Sequence, residues 1–127
     1  MKAIYLQATD ITPEVILDKE NNIFKFKGRS LPEEVIDFYQ PILKWLEEYI
    51  SNPNNMTIIE MDFDYLNSAS QKMLTNIFEI LEQLKKNGNQ IRIKWKYNID
   101  DNELKEIGQE FSEIFSIPFE FEGYYNN

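Results

Sequence analysis

Apolar and polar side chains alternate with period two in several stretches of the chain, and apolar residues recur at helical spacing in three longer ones. Val15 to Lys27 predicts a hairpin: Val15-Ile16-Leu17, a polar turn from Asp18 to Asn22, then Ile23-Phe24-Lys25-Phe26-Lys27, with Gly28 ending the second strand. Ser30-Leu31-Pro32-Glu33 predicts a helix start, a capping box with proline in the first turn. Val35, Phe38, Tyr39, Ile42, Trp45, Leu46, Tyr49 and Ile50 make one apolar face on that helix, with Pro41 inside it as a source of a kink. Asn52 to Asn55 reads as a loop.

Thr57 to Leu66 alternates again, predicting Ile59, Met61, Phe63 and Tyr65 on one face and Glu60, Asp62 and Asp64 on the other. A helix follows from about Ser68 to Lys86, striped by Met73, Leu74, Ile77, Leu81 and Leu84, and Asn87-Gly88-Asn89 closes it through a left-handed glycine. Ile91 to Tyr97 is a further alternating strand. Asp100 with Glu103 predicts another capping box, opening a helix that carries Leu104, Ile107, Phe111 and Ile114 inward. Pro118 to Phe121 reads as a short edge strand, and the tail from Tyr124 to Asn127 is expected to fray.

The order strand, strand, helix, strand, helix, strand, helix is that of an α/β fold. The segment from Tyr65 to Ile91 is a βαβ crossover, right-handed by default. Strands with one apolar and one charged face predict a mixed sheet of four to five strands, covered by helices mainly on one side. The charged faces also predict strand order. Lys25 and Lys27 stand on one strand, Glu60, Asp62 and Asp64 on a second, and Arg92, Lys94 and Lys96 on a third. Opposite charges on neighbouring strands are worth about 0.2–1 kcal/mol per pair, so the acidic strand is expected between the two basic ones.

Composition narrows the chemistry. A chain of 127 residues with 43% hydrophobic content is expected to form one domain, residues 1–127. The net charge of −9 repels phosphate backbones and anionic lipid, so neither nucleic acid nor membrane is an expected partner. No stretch approaches the ~20 apolar residues of a membrane span, and the N-terminus has no signal-peptide shape. With no cysteine, disulfides and thiol chemistry are excluded, and a cytoplasmic location is expected. With no histidine, the commonest general base, metal ligand and serine-activating partner are missing. The ladder Glu60, Asp62, Asp64 suggests a metal or acid/base site, but a solvated sheet face neutralised by flanking basic strands is the better account, and no phosphate-binding glycine loop accompanies it. No catalytic residue, metal site or cofactor is therefore expected. Trp45, Trp95 and Phe38 read as core; Tyr97 and Tyr124, near element ends, are candidates for surface contacts.

One segment stands out: Tyr65-Leu66-Asn67-Ser68-Ala69-Ser70-Gln71-Lys72, at the C-terminal end of a central strand and the start of the next helix. Open α/β sheets present their sites there. Ser68 to Gln71 fits a capping box, and capping alone would account for these residues. The same geometry suits a phosphoserine, whose charge of about −1.5 to −2 is accommodated by a helix N-terminus and by Lys72 one turn on. Spacing leaves both readings open, and it leaves Ser70 as an alternative acceptor.

The chain also resembles the SiaC family of bacterial regulatory phosphoproteins, which is related in fold to STAS anti-anti-sigma factors. The matching pieces are Gly28 to Glu33, Phe38-Tyr39-Gln40-Pro41 with Trp45-Leu46, Tyr65 to Ser70, Trp95-Lys96-Tyr97, and Asp100 to Gly108. The resemblance implies a STAS-like partner-switching domain. A Ser/Thr protein kinase would phosphorylate the hydroxyl residue after the asparagine, here Ser68, and a PP2C-type phosphatase would reverse it. The unphosphorylated form would bind a target such as a diguanylate cyclase through Leu66, Asn67, Ser68, Ala69, Ser70 and Lys72. Two positions depart from the family pattern: serine stands where threonine is common, and Ala69 where a second hydroxyl residue often sits. The competing readings are a constitutive interaction domain, in which Ser68 only caps the helix, and an enzyme using the carboxylate ladder.

Overall fold

The structure is a computed structural model describing residues 1–125. Six strands form one sheet in chain order: β1 (Ile4–Leu6), β2 (Glu14–Asp18), β3 (Ile23–Ser30), β4 (Met56–Leu66), β5 (Gln90–Asn98) and β6 (Phe119–Tyr124). The first three strands run antiparallel to one another, and β3 through β6 pair in parallel. The expected α/β class, mixed sheet and hairpin are all present, with one strand more than expected. That addition is β1, three residues too short to show a period, held at the sheet edge by β2 and by the Trp45 indole, which donates to the Lys2 carbonyl at 2.8 Å.

Three helices, α1 (Val35–Tyr49), α2 (Ser68–Lys86) and α3 (Asn102–Ile114), cover one face. Their apolar stripes and the inward side chains of β2 to β5 build one core, with Phe26, Tyr39, Tyr49, Leu74, Phe78 and Trp95 fully buried in it. Phe24 meets Trp45 and Tyr49 of α1, and Phe78 of α2 meets Phe111 of α3 at 4.9 Å between ring centroids. Helix α1 runs on through Pro41, whose ring faces outward. Gly88, at φ +87°, supplies the left-handed C-terminal turn of α2.

The other face carries the charges in alternating stripes. The acidic strand β4 lies between the basic strands β3 and β5, as the charge pattern predicted, with Lys25 beside Glu60 and Glu60 beside Lys94. A second acidic stripe follows on β6. Arg92 pairs with Glu120 at 3.3 Å, Lys94 with Glu122 at 4.0 Å, and Lys96 with Glu60 at 3.6 Å.

Several local expectations are corrected. Gly28 does not end β3; at φ +121° it sits at a register shift, and the strand continues to Ser30. Ser30 is therefore no helix cap: α1 begins at Val35, and its N-cap position, Glu34, makes no side-chain capping bond. Asp101 caps α3 in place of Asp100, accepting from the Leu104 amide at 3.0 Å. Ile114 is 69% exposed, at the groove between α2 and α3, while Phe111 and Phe115 beside it are buried against Phe78. Tyr97 is buried, and Tyr124 belongs to β6 and donates to Asp62 at 2.7 Å. The expected fraying thus starts no earlier than Tyr125, and Asn126 and Asn127 lie outside the described residues.

Candidate functional site

The site begins with the register shift. Gly28 pairs with Phe63 but Arg29 pairs with Tyr65, so Asp64 is the extra residue of a bulge in β4. A side chain at position 28 would be strained at its positive φ. The bulge changes the phase of the strand: Asp64 and Tyr65 both point outward, and Leu66 turns into the core. Tyr65, expected on the apolar face, is instead 41% exposed, with the Arg29 guanidinium 5.4 Å above its ring.

Beyond Leu66 the chain turns directly into α2. Asn67, in extended conformation, is the N-cap, and its side-chain oxygen accepts from the Ser70 amide at 2.8 Å. The capping box expected from Ser68 is therefore not formed; Ser68 is the first helical residue. Around it the turn is tied down by long-range bonds. The Asn67 amide donates to the Ser30 carbonyl at 3.1 Å, and the Ser70 hydroxyl donates to the same carbonyl at 2.9 Å. Ser30 Oγ lies 2.8 Å from Ser70 Oγ and 2.5 Å from the Tyr39 hydroxyl. All three hydroxyls belong to residues with no exposed surface, and burial pushes the Tyr39 hydroxyl above its ordinary pKa.

This web separates the two candidate serines. Ser70 is fully buried and its hydroxyl is engaged; Ser68 is exposed, and among the described residues its hydroxyl has no hydrogen-bond partner. Of the expected partner-contact residues, Leu66 and Ser70 turn inward, Asn67 and Ala69 are half-buried, and Ser68 and Lys72 are exposed. The first turn of α2 holds no acidic residue, so the positive end of the helix dipole has no local counter-charge. Beside it lies a groove of about 230 Å³, lined by Ser68, Lys72 and Thr75 of α2 and by Ile107, Glu110, Phe111 and Ile114 of α3. The sequence signalled neither this groove nor the Ser30–Tyr39–Ser70 web, since both join residues far apart in the chain.

The carboxylate ladder forms no cluster. Glu60 pairs with Lys96, buried Asp62 accepts from Tyr124, and Asp64 lies in the bulge. No group of three acidic side chains suited to a metal ion occurs among the described residues, and no helix among them is long and apolar enough to cross a membrane.

Fold and junction together define an α/β protein with one helix-covered face and an exposed serine hydroxyl where a central strand enters a helix. The chain belongs to the SiaC family: residues 6–124 match it, under the description "SiaC family regulatory phosphoprotein". It is accordingly a regulator and not a catalyst. An uncharacterized protein of Pseudomonas aeruginosa (strain UCBPP-PA14) is 24% identical over 119 residues, 94% of each chain. SiaC of Pseudomonas aeruginosa superposes with a TM-score of 0.89 at 23% identity, over 98% of this chain and 100% of that one. A chain from the crystal structure of the diguanylate cyclase SiaD in complex with its activator SiaC, from the same organism, gives a TM-score of 0.89 at 23% identity over 95% and 99%. At that identity the structural likeness establishes the fold; binding to a diguanylate cyclase is a property of that SiaC.

Proposed function

We propose that this chain is a single cytoplasmic regulatory domain that switches partners through reversible phosphorylation of Ser68. A Ser/Thr protein kinase transfers the γ-phosphoryl group of ATP to Ser68 Oγ, the hydroxyl proton passing to the kinase and ADP leaving. A PP2C-type phosphatase hydrolyses the ester with water, restoring the serine and releasing inorganic phosphate. In the unphosphorylated form the junction binds and regulates a target protein, a diguanylate cyclase by likeness to the SiaC–SiaD pair.

One observation supports this reading above the others: of the two serines at the junction, Ser68 alone is exposed with its hydroxyl unengaged. The cap is supplied by Asn67, so the fold does not need Ser68 as a cap, which weakens the constitutive-scaffold alternative. Phosphate there meets the positive end of the α2 dipole and Lys72, so the modification costs the fold little. It adds charge and bulk on the surface where a partner would dock. The test is calorimetric titration of the host's own diguanylate cyclase with the chain and two variants. Ser68→Asp is expected to weaken binding about tenfold or more, and Ser68→Ala to preserve it. Equal affinity for all three would contradict the switch.

A further inference from the structure

The two sides of the molecule balance their charges differently, and the difference bears on the groove beside Ser68. On the open sheet face, Lys25, Arg92, Lys94 and Lys96 each stand in an ion pair. On α3, Glu103, Glu106, Glu110 and Glu113 are all exposed, and none lies within ion-pair distance of a described cation. The cation of α3, Lys105, is turned toward the Tyr97 ring, 6.0 Å from its centroid. The outward side of α3 is thus an uncompensated acidic stripe.

That stripe borders an apolar slot. At one end α2 and the segment after α3 are clamped: Glu82 accepts from the Ser116 amide at 2.7 Å and from its hydroxyl at 3.0 Å, and Lys85 donates to the Ser116 carbonyl at 2.9 Å. Phe78 fills the space beneath, packed on Phe111 and Phe115. The groove lies between the two helices, with Ile107, Phe111 and Ile114 of α3 as its apolar wall beside Glu110, and Ser68, Gln71, Lys72 and Thr75 of α2 as its polar wall. Among the described residues lining it, Lys72 is the one cation, set against the four carboxylates of the α3 stripe.

We infer that this groove is a docking site for an amphipathic segment of the partner that seats an aliphatic or aromatic anchor against Ile107 and Ile114 and sets lysine or arginine against Glu110 and Glu113. Apolar lining selects the anchor, and the acidic stripe selects the flanking charge. A second copy of this chain is disfavoured as occupant, because the chain's net charge of −9 would set like charge against the stripe. Phosphate on Ser68 would bring a dianion to the rim of an apolar slot, where seating the anchor strips its water. This last step deepens the reading of Ser68 as a switch and rests on it; the groove itself does not.

The experiment is an amide chemical-shift titration of the full chain with two synthetic helical peptides that share a leucine stripe, one flanked by lysines and one by glutamates. The lysine peptide is expected to shift Thr75, Ile107 and Ile114 and to bind about tenfold tighter than the glutamate peptide. Ile114→Asp, a change at an exposed position, is expected to weaken it about tenfold, and Glu110→Lys to narrow the preference between the peptides. Shifts confined to the open sheet face, or equal binding of both peptides, would overturn the groove assignment. Ser68→Asp separates the two readings: weakened peptide binding supports both, and unchanged binding at the groove keeps the docking site while removing Ser68 as its gate.

Discussion

Two strands hand over to helices at the same end of the sheet, and each does so through a serine that reads locally as a helix cap. At the β3–α1 junction, Ser30 remains in the strand, fully buried, with its hydroxyl shared between Tyr39 and Ser70. At the β4–α2 junction, Ser68 is exposed, and the adjacent Asn67 takes the capping role. The sequence signal is alike; what differs is whether distant residues claim the hydroxyl. One serine is structural because tertiary partners engage it, and the other is left exposed and unengaged because the adjacent Asn67 supplies the cap.

The contrast can be broken by substitution. Ser30→Ala is expected to have the largest effect, about 1–3 kcal/mol in chemical denaturation, since it leaves the buried Tyr39 hydroxyl without its closest partner. A loss under about 0.5 kcal/mol would mean that the web does not hold the junction. The same web gives an alkaline signature. Burial holds the folded Tyr39 pKa above the ordinary value of 10.0, so the folded state keeps a proton that the unfolded chain releases. That contribution is complete below pH 10 and is lost as pH rises from there through the folded value; Tyr39→Phe should flatten the decline of stability above pH 10. Asn67→Ala should cost less than Ser30→Ala, about 1 kcal/mol, through loss of the cap. Ser68→Ala is expected to change stability by no more than about 0.5 kcal/mol. If Ser68→Ala cost as much as Asn67→Ala, the division of labour at this junction would be wrong.

Much of the architecture could be read from period and charge because those patterns act locally. Lys25 and Lys27, Glu60 and Asp62, and Arg92 to Lys96 lie in the expected strand order, and α2 spans Ser68 to Lys86 as its apolar stripe predicted. The failures share a physical cause. A one-residue bulge at Asp64 reverses the faces of everything after it, so alternation placed Tyr65 inside when it lies outside. Ile114 fits the helical period, yet Phe111 and Phe115 take the buried positions against Phe78 and leave it outside. Ser30 fits a capping box, yet Tyr39 and Ser70, nine and forty residues away, bind its hydroxyl. The position of the candidate site was legible for the same reason that its surroundings were not. A strand-to-helix boundary is a local event, whereas the buried serine web and the α2–α3 groove exist only after the helices have packed.

The most direct measurement is phosphosite mapping of the intact protein isolated from its host, across growth conditions. The account expects phosphate on Ser68 at variable occupancy, with Ser70 unmodified because the folded junction hides it. Phosphate on Ser70 with Ser68 unmodified, or none on either while the host's Ser/Thr kinases are active, would contradict it.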